Sequence, residues 1–279
     1  MVARSKIAAV AKDVLLVPIY LYQGHKVKRD TIRLPEPTGR RQGQVQLNPT
    51  DNMSGTNESQ PTLTLMIVGD SAAAGVGSLT QTDALAGKLI PALQQQSVIY
   101  TNFAALDWSL QATTGHTSFD ILRRLYVLPL PDAAVDVMVL SVGVNDTTAN
   151  VSTAQWQQQL KEIIRIAKRK FGVQTLIFSS LPPMAQMPAL PAPLNSFMGA
   201  KSTKMDKALQ QVCIEYNGDG VHYMAADFER MADEHGNGTS VDSAVMFASD
   251  GFHPSPITYG YWAQQLSALI ADLLDNKNT

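Results

Sequence analysis

From Leu63 onward the chain alternates short apolar, β-branched runs with longer stretches whose apolar residues recur at helical spacing. That alternation constrains the fold more than any other feature, because it is satisfied by a parallel sheet covered by helices on both faces. Strands are expected at Leu63 to Val68, Leu106 to Ala112, Val135 to Val142, Val173 to Ser179 and Val221 to Ala225. Helical patterns fall between and after them, at Thr82 to Gln95, Phe119 to Leu128, Thr153 to Phe171, Lys201 to Tyr216 and Ile257 to Asp275. The expected architecture is a three-layer α/β/α sandwich on a doubly wound parallel sheet of about five strands. Ligands of such sheets bind beyond the carboxyl ends of the strands, so every residue just after a strand calls for a chemical reading.

Composition narrows the function classes. With 45% hydrophobic and 16% charged residues, 279 residues can bury one large core. The 22 Lys and Arg are balanced by 24 Asp and Glu, a formal charge of −2 that gives no field to attract phosphate backbones. General nucleic-acid binding is therefore excluded as an expectation. Cys213 is the single cysteine, which rules out an intrachain disulfide and any multi-cysteine metal site built from this chain. It sits in the helical stretch Ala208 to Tyr216 and reads as a buried, inert thiol.

The first sixty residues stand apart as an N-terminal arm and linker, residues 1–60, ahead of a domain at 61–279. Arg4 and Lys6 precede an apolar stretch as in a secretory signal, but Lys12 and Asp13 interrupt it after Ile7 to Ala11. A second apolar run, Val14 to Tyr22, contains Pro18 and is far short of the roughly 20 residues of a spanning helix. These features favour a soluble, cytoplasmic protein over a secreted one. His25, Lys26, Lys28, Arg29, Arg40 and Arg41 form a basic cluster suited either to solvent or to weak peripheral contact with anionic lipid. Gly43 to Gln60, with Asn48, Pro49, Asp51, Asn52, Gly55 and Asn57, reads as a turn-rich surface connection.

Four short blocks carry chemistry. Gly69-Asp70-Ser71 follows the first expected strand and places a hydroxyl at a tight turn, although Asp and Ser also favour helix starts. Ala73 stands where a Gly-x-Ser-x-Gly elbow needs glycine, and Gly75-Val76-Gly77 lacks the third glycine of a dinucleotide loop. Gly115, after the second strand, offers a backbone N–H without a side chain in the way, beside His116, which reads as a surface turn residue. Gly143-Val144-Asn145-Asp146 follows the third strand, and the Asn145 amide is a candidate donor to a developing oxyanion, with Asp146 buttressing its loop. Asp250-Gly251-Phe252-His253 precedes the last helix, and an aspartate three residues before a histidine can hold the imidazole in one tautomer. Each block alone has an ordinary structural explanation. In this order, and at these strand ends, chance would assemble all four on the order of once in a thousand chains.

The four blocks resemble those of the SGNH hydrolases, also called the GDSL esterase/lipase family, over roughly Leu63 to Leu274. The resemblance implies a flavodoxin-like sheet, Ser71 as nucleophile, Asp250 and His253 as its partners, and an oxyanion hole from Ser71 N–H, Gly115 N–H and the Asn145 side chain. Ala72 replaces the leucine that names the motif, and the arm lies outside the similarity, although Leu16 to Arg41 resembles leaders of some bacterial members. The implied activity is hydrolysis of short- to medium-chain acyl esters of a small-molecule substrate, without cofactor or metal. A carbohydrate O-acetyl esterase is the alternative within the enzyme class, and a non-catalytic ligand-binding protein is the alternative outside it. The segment Leu181 to Pro193 follows the fourth strand, and its Met184, Met187 and Leu190 are candidates for an acyl pocket or for a core-covering loop.

Overall fold

The computed structural model describes residues 2–47, 60–226 and 243–278, with the side chains of 2–14 and of the extreme ends of the last helices left out. Much of the turn-rich stretch around Asn48 to Asn57, and the side chains of Arg4, Lys6, Lys12 and Asp13, lie outside the described residues.

Within the described residues five strands run parallel: β2 (Thr62–Gly69), β3 (Ala105–Ala112), β4 (Val137–Ser141), β5 (Thr175–Ser179) and β6 (Val221–Met224). A sixth, β1 (Gln42–Gln46), pairs antiparallel with β3, so the sheet is mixed and ordered β1-β3-β2-β4-β5-β6. β1 corrects the reading of Gly43 onward as surface connection. Only Val45 of its five residues is strongly apolar, because an edge strand needs hydrogen bonds to its neighbour more than buried side chains. β4 and β5, covered on both faces, are almost wholly apolar, as central parallel strands must be.

Side-chain alternation along β2 feeds two cores. Leu63, Leu65 and Ile67 pack with α3 (Leu85–Gln94) and the C-terminal helix, while Met66 and Val68 face the other way. The second core is closed by α5 (Ser118–Val127), α7 (Thr153–Phe171) and α8 (Leu194–Glu215). α7 shows why the sequence folds this way. Trp156, Leu160, Ile163, Ile164, Ala167 and Phe171 recur at helical spacing and are all buried, with Ser152 capping the start and left-handed Gly172 ending the helix. The remaining helices are α1 (Val2–Asp30), α2 (Ser71–Ala74), α4 (Ser97–Asn102), α6 (Val144–Thr148), α9 (Ser243–Met246) and α10 (Pro256–Asn278). α8 begins at Leu194 rather than at Lys201, and α1 makes nearly half of the N-terminal arm helical despite Pro18. No described helix is long and apolar enough to cross a membrane.

The topology places the site. The chain moves from β2 outward to β3, then returns past β2 to β4, so the strand order reverses at β2. The crevice at such a switch point is where doubly wound sheets bind ligands. The register aligns Gly69 of β2 with Ala112 of β3 and Ser141 of β4, so the segments starting at Asp70, Thr113 and Val142 emerge side by side.

Candidate active site

Ser71 opens α2 immediately after β2. Its neighbour Asp70 is the N-cap, accepting the Ala72 N–H at 3.1 Å, and Gly75 ends the single turn in the left-handed conformation. The turn is forced close to β4: a Cβ on Gly69 would lie 2.4 Å from the Ser141 carbonyl oxygen and 2.6 Å from the Ala73 Cβ, so only glycine fits. From the far side, the buried Tyr259 hydroxyl of α10 donates to the Val76 carbonyl at 2.7 Å. Ser71 N–H is the first amide of the helix and has no intrahelical partner.

The loop before α10 brings the imidazole to this serine. His253 Nε2 lies 2.9 Å from Ser71 Oγ, and His253 Nδ1 lies 2.5 Å from Asp250 Oδ2. Asp250 Oδ1 accepts the N–H groups of Phe252 and His253, both at 3.0 Å, which locks the carboxylate against its own turn. Burial of Asp250 opposes its ionisation, but the imidazole and the two N–H donors outweigh burial, and the pKa lies below the usual 3.8. An ionised Asp250 accepts the Nδ1 proton and leaves the Nε2 lone pair for the Ser71 hydroxyl. The Asp250 side chain is 2% exposed and that of His253 23%, so the acid is shielded while the ring reaches the crevice.

Beside them, Asn145 Nδ2 donates one hydrogen bond to the His116 carbonyl at 3.0 Å, and the residue lines the cavity. Asp146 is wholly buried and binds the N–H and hydroxyl of Ser118 at the start of α5, tying the loop after β4 to a neighbouring helix. Burial raises the Asp146 pKa against those bonds. Gly115 sits at φ +85° in the exposed turn after β3, and among the described residues its N–H makes no hydrogen bond. That turn is joined to the serine's strand by Thr113 N–H donating to the Gly69 carbonyl at 3.2 Å. His116 is partly buried but stays outside the Ser71–His253–Asp250 series, and its carbonyl, not its ring, serves the loop.

Asp70 is the unusual charge here. It is 1% exposed, and burial lifts its pKa to about 6, with the Ala72 N–H and His253 opposing and Asp146 adding to the rise.

A cavity of about 570 Å³ opens at Ser71, His253 and Asn145. Its walls are largely apolar, from Val144, Pro183, Met187, Met246, Phe252 and Trp262 among others, and Asp70 and His253 are the titratable side chains on it among the described residues. Trp262 is held by its indole N–H donating to Ser179 Oγ at 3.1 Å. Of the three pocket candidates, Met187 lines the cavity and Met184 and Leu190 do not, and all three are buried in one cluster with Leu194. Sequence reasoning missed Met246, Phe252 and Trp262 as wall residues, since only the fold carries them to Met187. Cys213 is buried in α8, and burial, with nearby Asp206 adding, pushes its thiol up to about 12.

A sheet of this winding with a hydroxyl, an imidazole and a carboxylate in series at its switch point defines a hydrolase of the doubly wound α/β class. Residues 67–263, well over half the chain, match the GDSL-like lipase/acylhydrolase family, and the protein belongs to that family. It is thus a carboxylic ester hydrolase, and the family is the one the four sequence blocks resemble. No curated protein matches the chain. Solved structures similar to it include LAE5, an alpha/beta hydrolase enzyme from the metagenome of Lake Arreo, with 18% identity, TM-score 0.54, and coverage of 76% of this chain and 96% of that one. The lipase/acylhydrolase from Enterococcus faecalis is similar at 18% identity and TM-score 0.51, covering 75% and 96%. Axe2, an acetylxylan esterase from Geobacillus stearothermophilus, is similar at 15% identity and TM-score 0.53, covering 76% and 95%. At these identities the likeness is one of fold.

Proposed function

We propose that the protein is a serine esterase acting on short- to medium-chain acyl esters, with Ser71 as nucleophile, His253 as general base and acid, and Asp250 as the group that orients the imidazole. The observation carrying this reading is the unbroken series from Asp250 Oδ2 through His253 to Ser71 Oγ, 2.5 and 2.9 Å, opening onto a largely apolar cavity. His253 Nε2 takes the Ser71 proton as Oγ attacks the ester carbonyl, and the imidazolium is stabilised by Asp250. The negative charge that develops on the carbonyl oxygen meets Ser71 N–H, Gly115 N–H and Asn145 Nδ2, donors that matter most once the tetrahedral species forms. His253 then protonates the departing alcohol and activates water to release the acid. None of these steps calls for a metal or cofactor.

The cavity walls favour an uncharged acyl chain over a sugar, whose hydroxyls would need polar partners on those walls. Its volume falls within the range of small-molecule sites, roughly 300–1,000 Å³. The catalytic unit is the domain 61–279, with residues 1–60 as an arm partly sewn onto its sheet through β1. Exposed Leu15, Leu21 and Tyr22 near Lys26, Lys28 and Arg29 on α1 support weak peripheral contact with an anionic membrane, which co-sedimentation with anionic vesicles at low salt tests.

The deciding experiment compares wild type and Ser71→Ala on nitrophenyl esters from acetate to palmitate and on acetylated xylo-oligosaccharide, with circular dichroism on both proteins. The reading expects activity confined to wild type and highest on short to medium acyl chains. Turnover in folded Ser71→Ala would remove the serine mechanism. Activity on the acetylated sugar alone would replace the acyl-ester reading with the carbohydrate one.

A further inference from the structure

The Gly115 turn is closed by the His116 N–H donating to the Thr113 carbonyl at 3.3 Å, and Arg124 and Asn145 hold its two ends, at the Thr113 hydroxyl and the His116 carbonyl, while Thr114 and Gly115 at its tip are gripped by neither. The tip is exposed, Gly115 stands at φ +85°, and a Cβ built there would meet nothing within 4 Å. An amide that must point at one oxygen atom needs a rigid frame, because misplacement by about 1 Å can cost on the order of a hundredfold in rate. Part of that frame comes from the N-terminal arm. Glu36 Oε1 accepts the Thr114 N–H at 2.7 Å and the Thr114 hydroxyl at 2.9 Å. The other carboxylate oxygen accepts Arg41 Nη1 at 2.8 Å, and Arg41 Nη2 donates to the Ala112 carbonyl at the end of β3. Arg41 is itself placed by β3, since the Leu110 N–H donates to its carbonyl at 2.7 Å.

The arm segment is preorganised for this contact. Pro35 and Pro37 flank Glu36 and restrict the backbone on both sides of it. Pro37 is buried, close enough that a Cβ on Gly75 would lie 3.0 Å from its Cγ, and Gly75 ends the turn that carries Ser71. Thr38 continues the attachment, its N–H donating to Leu79 at 3.3 Å and its carbonyl accepting from Gln81 at 2.8 Å. The segment from Glu36 to Arg41 thus touches both the loop after the serine and the loop after β3. It lies ahead of residue 67, where the match to the family begins.

We infer that Glu36 is a positioning residue for ester hydrolysis: by holding the Thr114 amide and hydroxyl, with Arg41 bracing its carboxylate, it aims the neighbouring Gly115 N–H at the oxyanion. The inference rests on the reading of Gly115 as an oxyanion donor. Thr114 and Arg41 also hold the Glu36 carboxyl below its usual pKa of 4.5 although burial opposes this, so the acceptor is charged at neutral pH and its bonds are the stronger for it.

The test measures kcat and KM of wild type, Glu36→Ala, Glu36→Gln and Ser71→Ala on one short-chain nitrophenyl ester, with melting temperatures for all four. Glu36→Ala is expected to lower kcat by about 10- to 100-fold with KM nearly unchanged, since the lost interaction acts on the transition state. Glu36→Gln, which keeps a neutral acceptor for Thr114 and a near-identical shape, is expected to recover part of that kcat. Unchanged kcat in folded Glu36→Gln together with unchanged kcat in Glu36→Ala overturns the inference, as does a loss confined to KM. If Glu36→Ala does not fold, Glu36→Asp, whose shorter side chain withdraws the carboxylate from Thr114, takes its place, and wild-type kcat in that variant overturns the inference. Full activity in Ser71→Ala would instead overturn the serine mechanism, whatever Glu36 does.

Discussion

Asp70→Asn should stabilise the protein at neutral pH and not in acid. Asp70 is buried beside Ser71, and its carboxyl releases its proton only at about pH 6, against 3.8 ordinarily. Between those values the folded state holds a proton that the unfolded chain has lost, so stability falls as pH rises across the interval. The rise from 3.8 to about 6, at about 1.36 kcal/mol per tenfold change in proton affinity, makes this cost ~3 kcal/mol once both states are ionised. Because the group is wholly buried, solvent screening takes little from that figure. Asparagine is nearly isosteric, can cap α2 by accepting the Ala72 N–H, and never carries the charge. Urea unfolding of wild type and Asp70→Asn at pH 3.5 and pH 7.5 checks the reasoning. The stability difference should move toward the asparagine variant by ~3 kcal/mol between the two pH values. An equal difference at both pH values would refute the argument.

Three further outcomes follow from the site. Asn145→Ala should lower kcat by about 10²–10³, equivalent to about 2.7–4 kcal/mol, with little change in KM, measured by steady-state kinetics on a nitrophenyl ester. Asp250→Asn should preserve the fold but leave His253 without its ionised partner, and kcat at neutral pH should drop by about 10⁴. Met187→Glu should place a carboxylate on the cavity wall and reduce kcat/KM for octanoate relative to acetate by about tenfold or more, the worth of roughly two buried methylenes, which a chain-length series reads directly.

Much of the site is legible because its chemistry is local. Asp250 and His253 lie within one turn, and Ser71 and Asn145 each follow a strand whose apolar run announces it. α7 is equally plain, since its apolar period is unbroken from Trp156 to Phe171 and both ends are capped, so the expected and observed limits coincide. The unread parts depend on distant partners. β1 is a strand because β3 offers it an edge, and its own glutamines carry no such pattern. α8 starts among Leu194, Asn195, Ser196 and Gly199, residues of mixed helix preference, and the Leu194 N–H is met by Gln23 of α1 at 3.2 Å. α1 is likewise settled by its contacts, with Tyr20 stacked on Phe197 at 4.5 Å. Met184, Met187 and Leu190 share one proline-rich loop and one chemistry, and only its three-dimensional course brings Met187 to the cavity and leaves the other two off its wall.

The central claim is that Ser71 is the nucleophile, and covalent labelling tests it most directly. The protein is incubated with a nitrophenyl phosphonate ester, residual hydrolysis is followed, and the modified peptide is located by mass spectrometry. The account predicts one phosphonyl group per chain, on Ser71, accumulating in proportion to lost activity and absent from Ser71→Ala. Complete inactivation with the label on another residue, or full labelling of Ser71 with hydrolysis undiminished, would contradict it.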